Sequence, residues 1–331
     1  MTAQADVGAA STQFYTDEVA KESYELMPDV LAAKVKDPDL RKLMMTLFDA
    51  FATVSGALRE ELVVKADEQK SVFGDVQLSV DVLADDLMWE VCKTDPLIQN
   101  GASEEEPEVR EMHADGKFCI CWDPLDGSSI IDNNWACGTI LGIWPASTGI
   151  LGATGRDQAT SMVALYGPRT TVFVALDDGV YEFTYGANGQ EGWLCSRERI
   201  EISADSKIFS PANLRVAQDS PQYAKLVDYW MENRYTLRYT GGLVPDICQQ
   251  FTKQMGVFAN PTSDKSPAKL RLAFEAAPFG LLVEKAGGKT SDGVSGGSIL
   301  DVKITGIDQR TPLCIGSANE VDRFNTLLEL K

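Results

Sequence analysis

The sequence predicts an α/β fold in two tightly joined halves, the first rich in antiparallel strands and the second alternating helix with strand. Three observations carry this. Leu40, Leu43, Met44, Leu47, Phe48 and Phe51 recur at spacings of three and four, as on one face of an amphipathic helix. Between residues 170 and 202, apolar runs are separated by Asp-Asp-Gly and Ala-Asn-Gly turns, which predicts an antiparallel meander. Beyond residue 206, helical and strand-like segments take turns. The polar stretch 203–206 is the expected boundary, dividing 14–203 from 204–331. Residues 1–13, small and polar, are expected to be disordered.

Composition narrows the function classes. The 331 residues are 44% hydrophobic and 24% charged, ordinary for a globular chain. A net charge of −19 argues against a nucleic-acid or anionic-membrane surface. No apolar run is long enough to span a bilayer. The N-terminus has no charged and apolar leader pattern and no arginine before Arg41. The expected compartment is the cytoplasm, with a plastid enzyme trimmed of its transit peptide as the alternative. Seven cysteines lie mostly in apolar runs and read as buried thiols. Cys119 and Cys121 share one side of a strand, which is no zinc spacing. His113, the only histidine, sits in polar, acidic sequence and reads as an exposed loop residue.

In chain order, 14–65 reads as helical, and a second helix starts near residue 75 and runs through Asp81 to Val91. Taken alone, Asp81 is a solvated helix acid. Ser103-Glu104-Glu105-Glu106-Pro107 reads as a loop, and taken alone as a solvated acidic patch. Residues 118–122 form a buried strand that Pro124 ends. Strand 136–144, a turn at 154–157 and the meander follow. The second half reads as helix 223–231, strand 234–239, helix 246–255 stopped by Gly256, polar loop 260–269, helix 274–286 bent by Pro278 and ended by Gly287-Gly288, strand 313–315 and helix 320–330.

The chemistry concentrates in Asp123-Pro124-Leu125-Asp126-Gly127-Ser128-Ser129. Two carboxylates three residues apart stand at a strand's end. Gly127 lets the backbone approach closely, and Ser128 and Ser129 are helix N-cap types, so free amides should follow. Acids and amides facing one ligand conflict unless a metal ion resolves them: carboxylates hold the cation, amides hold an anion, and the anion bridges to the cation. Two aspartates cannot fill six-coordinate magnesium sites, so further ligands are needed. Glu275 is a candidate, because Ala273-Phe274 and Ala276-Ala277 around it predict burial.

Asp123 to Ser129 resembles the signature of the fructose-1,6-bisphosphatase class of sugar bisphosphatases, within the wider magnesium-dependent, lithium-sensitive phosphatases. Ser103-Glu104-Glu105, Leu237-Arg238-Tyr239, Lys269-Leu270-Arg271-Leu272 with Glu275, and Glu284-Lys285-Ala286-Gly287-Gly288 follow in family order, so the resemblance covers about 70–330. Ser71-Val72-Phe73-Gly74-Asp75, Tyr166 to Thr171, Phe209 to Arg215 and Tyr235 to Gly242 are closer to the sedoheptulose-1,7-bisphosphatase branch.

The resemblance implies a layered αβαβα sandwich and a magnesium enzyme with two to three ions, manganese being a possible substitute. Glu105, Asp123, Asp126 and Glu275 would hold the metal, with Glu104 and the carbonyl of Leu125 completing the shells. Asp81 and Glu105 would orient and deprotonate the attacking water. Gly127, Ser128 and Ser129, with Asp126, would meet the phosphate being cleaved, and Lys269, Gly242 and Leu243 the sugar. Asn213 and Tyr239 would hold the distal phosphate, and Arg238 would reach it from a neighbouring subunit of a homodimer or homotetramer. The implied reaction removes the 1-phosphate of sedoheptulose 1,7-bisphosphate, with fructose 1,6-bisphosphate as the alternative or a second substrate. An inositol or 3′-nucleotide phosphatase and a silent metabolite-binding protein are more distant readings. Lys269 and Arg238 argue against a single-phosphate substrate, and the complete carboxylate set argues against silence. Two departures stand out. Asn260 occupies a place where fructose bisphosphatases carry an aromatic residue, with a loop one residue shorter. The cysteine pair that plant sedoheptulose enzymes carry upstream of Phe73-Gly74-Asp75 is absent, which predicts no thioredoxin switch of that type.

Overall fold

An Asp-Pro step sets the first helices. The computed structural model describes residues 24–60, 65–70 and 76–330. The expectation for 1–13 and the Ser71–Asp75 motif lie outside them. Of the helical stretch expected over 14–65, residues 14–23 and 61–64 lie outside the described residues, and the rest holds two helices, α1 (Met27–Lys34) and α2 (Pro38–Glu60). Asp37 Oδ1 accepts from Asp39 N at 2.9 Å and Leu40 N at 3.3 Å, and Pro38 opens the helix where its missing N–H costs nothing. Two short strands follow, β1 (Lys65–Lys70) and β2 (Val76–Leu78), so the next helix, α3 (Ser79–Thr94), begins after residue 78 rather than near 75.

From there an eight-stranded sheet is laid down: β3 (Ile98–Ser103), β4 (Arg110–Glu111), β5 (Phe118–Asp126), then the single turn α4 (Ser128–Ile131), β6 (Cys137–Pro145), β7 (Thr160–Tyr166), β8 (Thr170–Leu176), β9 (Gly179–Tyr185) and β10 (Trp193–Arg197). Its order is β10-β9-β8-β7-β6-β5-β3-β4, antiparallel throughout except that β3 runs parallel to β5. The meander is present. Its last strand is shorter than the expected 192–202, and β3 and β7 escaped the sequence reading.

The second sheet takes β11 (Ile208–Pro211), α5 (Pro221–Glu232), β12 (Thr236–Leu237), α6 (Leu243–Lys253), β13 (Val257–Asn260), α7 (Ala277–Lys285), β14 (Lys289–Ser291), β15 (Leu313–Gly316) and α8 (Ala318–Leu327), with strand order β12-β11-β13-β15-β14. Three expectations are corrected here. The strand expected over 234–239 is two residues long. Helix 246–255 starts earlier, at Leu243. Helix 274–286 is a π turn, Leu272–Ala276, followed by α7, and Pro278 sits in the first turn of α7, where it fits without a bend.

Alternation along β5 sorts the layers. Ile120 and Trp122 join α1, α2 and α3 in one core, while Cys119 and Cys121 join α6, α7 and the inner face of the second sheet in another. A third core packs Phe209, Val257 and Cys314 against α5 and α8. The layers are therefore α, β, α, β, α, as the resemblance implied. Leu43, Met44, Leu47, Phe48 and Phe51 of α2 are fully buried, at roughly 1.5–3 kcal/mol each. All seven cysteines are buried and free. His113 is half-buried rather than exposed.

Candidate active site

β5 does not stop at Pro124. Asp123 pairs with Ile140 and Asp126 with Gly138, so three steps along β5 are matched by two along β6. Residues three apart on a regular strand face opposite sides; the extra residue of this bulge turns Asp123 and Asp126 toward one another. Pro124 falls where the ladder is already interrupted, and its carbonyl accepts from Thr139 Oγ1 at 2.9 Å. Gly127, at φ 97°, then bends the chain into the one-turn α4, shorter than the helix the serines suggested.

Three carboxylates meet at that bulge. Oxygens of Asp123, Asp126 and Glu275 all lie within 4.8 Å of one another. Asp123 is buried and accepts from Leu125 N at 2.9 Å. Asp126 accepts from Leu243 N at 3.1 Å and Val244 N at 2.6 Å, the first two amides of α6, and so sits on the positive end of that helix dipole. Glu275 is buried on the π turn and accepts from Arg271 N. Arg271, also buried, donates from Nη1 to Lys269 O at 2.9 Å and places Nη2 3.7 Å from Glu104 Oε1. The loop after β3 is tied to β5 by a bond from Glu104 N to Trp122 O at 3.0 Å.

The electrostatics follow from crowding. Burial, then the charges of Glu104, Asp126 and Glu275, push Asp123 well above the carboxylate range. Burial and Glu104 do the same to Glu275. Asp126 is pushed up to about 7 by burial, against the pull of its two amide bonds. Glu105 is pushed up to about 8 by burial, then by Glu104, Asp81 and Asp85. Asp81 is buried in the first turn of α3, contrary to its solvated reading. Two like charges 4.8 Å apart repel by roughly 3–4 kcal/mol at an effective dielectric near 20. A divalent cation removes that cost, and an all-oxygen donor set without His or Cys suits magnesium or manganese.

One cavity of about 260 Å³ opens beside the cluster. It is lined by Asp126, Gly127, Ser128, Ser129 and Glu275, by Gly242 and Leu243, and by Asn213, Tyr239 and Lys269, with buried Asn260. Glu104, Glu105, Asp81, Asp123 and Leu125 stand behind this lining. Asn213 donates both amide hydrogens, to Pro261 O at 2.8 Å and Ser266 O at 2.9 Å. Arg238 is exposed and does not line the cavity. A second cavity, lined by Ser55, Arg59, Trp135 and Tyr166 among others, has no acid in its wall.

Three residues escaped sequence reasoning. Asp246, fully buried and pushed up to about 6 by burial, accepts from Thr240 N at 2.7 Å and Gly241 N at 3.1 Å, and so fixes the glycine turn before α6. Arg215 reaches the cavity beside Asn213. Arg271 bridges two site segments. Arg215 and Arg271 stand inside quoted motifs but were given no role there, and Asp246 lies just beyond one.

An acidic cation cluster joined to a phosphate-sized turn and a sugar-sized cavity, in this five-layer fold, defines a metal-dependent phosphatase. The family model described as fructose-1-6-bisphosphatase, N-terminal domain, matches residues 26–197, and its C-terminal counterpart matches 202–329. The chain belongs to the fructose-1,6-bisphosphatase family of sugar bisphosphatases. It is 42% identical over 306 residues to the chloroplastic sedoheptulose-1,7-bisphosphatase of Spinacia oleracea, covering 91% of this chain and 77% of that one. It is 35% identical over 317 residues to the class 1 fructose-1,6-bisphosphatase of Shewanella frigidimarina, covering 90% and 94%. A Toxoplasma gondii crystal structure provisionally described as a sedoheptulose-1,7 bisphosphatase superposes with a TM-score of 0.86 at 41% identity, over 93% of this chain and 99% of that one. The holo fructose-1,6-bisphosphatase of Leishmania major gives 0.85 at 29%, also over 93% and 99%.

Proposed function

We propose that the protein hydrolyses sedoheptulose 1,7-bisphosphate to sedoheptulose 7-phosphate and phosphate, using magnesium. The observation that carries this is one cavity whose wall holds both Asp126 and Glu275 of the carboxylate cluster and the cations Lys269 and Arg215. A substrate with two anionic groups can meet both a cation held by the carboxylates and these two side-chain cations; one with a single phosphate leaves one set unanswered.

The residues then divide the work. Asp123, Asp126, Glu275, Glu105 and Glu104, with the Leu125 carbonyl, hold two to three cations. Bound there, the cations would offset the carboxylate charge, neutralise the departing phosphoryl oxygens and return Glu105 to its base form at neutral pH. Asp81 and Glu105 orient the attacking water and take its proton. Gly127, Ser128 and Ser129 cradle the 1-phosphate. Gly242, Leu243 and Lys269 contact the sugar, and Tyr239, Asn213 and Arg215 the distal phosphate. Because both N–H groups of Asn213 are engaged with the 261–266 loop, Arg215 is the donor beside it that can turn to an anion. Arg238, exposed on the surface, serves a neighbouring subunit of a homodimer or homotetramer. The compartment is the cytoplasm.

The seven-carbon sugar is favoured by Asn260, a side chain smaller than an aromatic at the cavity wall, and by the higher identity to the spinach enzyme. The family's own name keeps fructose 1,6-bisphosphate as a second reading. The deciding experiment measures phosphate release with magnesium from both sugars at matched concentration. A higher kcat/KM for sedoheptulose 1,7-bisphosphate supports the proposal; equal or reversed values transfer it to fructose, and no release from either refutes it.

A further inference from the structure

We propose that Asp85 is a positioning residue for phosphate release, a single buried carboxylate that locks together the three segments bearing the site acids. It rests on the reading given under Proposed function. Asp85 lies one turn beyond Asp81 on α3, on the same helix face. It is 6% exposed. Its Oδ2 accepts from Trp89 Nε1 at 3.0 Å, and its Oδ1 from Trp122 Nε1 at 2.9 Å. The Ser103 side chain also helps to hold its charge.

Those partners are not scattered. Trp122 directly precedes Asp123 on β5, and Ser103 directly precedes Glu104 at the end of β3. Ser103 Oγ also accepts from Glu106 N at 3.0 Å, closing the turn that presents Glu104 and Glu105. The indoles of Trp89 and Trp122 meet edge to face with centroids 4.7 Å apart. Gly101 lies against both rings, where a Cβ would stand 3.1 Å from Trp89 and 3.3 Å from Trp122. Arg110, over the Trp89 ring at 4.7 Å, pairs with Glu106 and covers the outer side.

An acid placed here is costly. It is desolvated, and its charge adds to the repulsion at Glu105. An apolar side chain would avoid that cost but leave the buried Trp89 and Trp122 N–H groups without an acceptor. What only a carboxylate supplies is an oxygen for each of the two indole donors at once. An asparagine offers one oxygen, and its NH₂ would face one of the indole N–H groups. The arrangement therefore specifies a carboxylate, and through it sets the spacing of Asp81, the Glu104–Glu105 turn and Asp123.

The test compares Asp85→Asn with wild type by steady-state kinetics and by the magnesium-induced rise in Tm. The expected result is a 10- to 100-fold fall in kcat with KM within threefold, and a several-fold higher magnesium concentration for half-maximal Tm rise. Adding Trp122→Phe to Asp85→Asn removes the donor that opposes the new amide and should recover at least threefold in kcat. A folded Asp85→Asn with kcat and magnesium response within twofold of wild type overturns the proposal, as does a kcat loss that disappears well below the variant's Tm. If Asp85→Asn does not fold, Trp122→Phe alone decides: kcat and magnesium response unchanged overturn the proposal, and a threefold or larger loss supports it. The magnesium readout separates this from the substrate assignment, because it is expected to shift even if wild type acts on neither sugar.

Discussion

The stability of the metal-free protein should fall as pH rises, and magnesium should reverse the fall. Glu105 and Asp126 are held at about 8 and about 7 in the fold, against ordinary values near 4. Between those limits the folded chain binds more protons than the unfolded chain, so stability is present at low pH and is lost as pH climbs through the folded values. For Glu105 the full difference corresponds to at most about 5 kcal/mol; partial exposure and solvent screening bring it to roughly 2–3 kcal/mol. Asp126, also half-buried, adds a similar amount, for a total of about 5 kcal/mol. A chain of 331 residues shifts in Tm by roughly 1–2 °C per kcal/mol. With chelator present, Tm should therefore drop by about 5–10 °C from pH 5 to pH 9. Magnesium at a hundred times its Kd should restore about 2.7 kcal/mol per site at pH 8. Asp123→Asn is the control: its amide oxygen can keep the bond from Leu125 N while one charge leaves the cluster. It should flatten the pH dependence and remove most of the magnesium gain. Differential scanning fluorimetry or calorimetry reads all of this. A metal-free Tm that is flat or rises over that range would refute the assignment of a crowded, proton-holding cation site.

The remaining predictions concern single residues and one reagent. Arg215→Gln should raise KM for sugar bisphosphates by about 5- to 50-fold, as expected for a charged hydrogen bond worth roughly 1–2 kcal/mol, while turnover of p-nitrophenyl phosphate stays within twofold; equal loss on both substrates would remove Arg215 from the distal-phosphate end. Gly127→Ala forces a side chain to φ 97°, costing about 1–2 kcal/mol, and should reduce kcat more than tenfold by displacing the turn that meets the phosphate; near-normal kcat would show the turn tolerates a Cβ. Oxidised enzyme treated with dithiol should gain less than twofold in activity, since every cysteine is buried and unpaired; a several-fold gain would reveal a redox switch.

What was legible in the sequence was what repeats or what is chemically expensive. The periodicity of α2 and the turn-punctuated meander are dictated by local pattern, and both stand in the fold. Glu275 could be flagged because a carboxylate among alanines and phenylalanine needs a reason to be there. Pro124 misled because the rule that proline ends a strand assumes a regular ladder; the bulge supplied an irregular one. Strands β3 and β7 were missed because their alternation is weak: Ile98-Gln99-Asn100-Gly101-Ala102-Ser103 contains little that favours a strand, and parallel pairing with β5 decides it. The π turn at 272–276 has no sequence mark, and neither does the commitment of Asn213 to the 261–266 loop. Both depend on contacts between residues far apart in the chain.

The position of Asp126 explains why the two halves act as one site. Its carboxylate belongs to the cluster on β5, yet its hydrogen bonds go to the first amides of α6, a helix of the second half. Asp246, one turn into the same helix, holds the amides of Thr240 and Gly241 from the other side. The turn that would contact the sugar is thus pinned between two acids, one facing the cations and one facing the core. Charged acceptors on backbone amides bind more strongly than neutral ones, so the turn is placed before any metal or substrate arrives. Cation binding would then have little loop ordering left to do, and its free energy would be available for charge neutralisation at a bound phosphate. Strain or slippage at β5 would move the sugar end with it. On the proposed reading, a single bulge in one strand would therefore set both the metal geometry and the register of the substrate across the cavity.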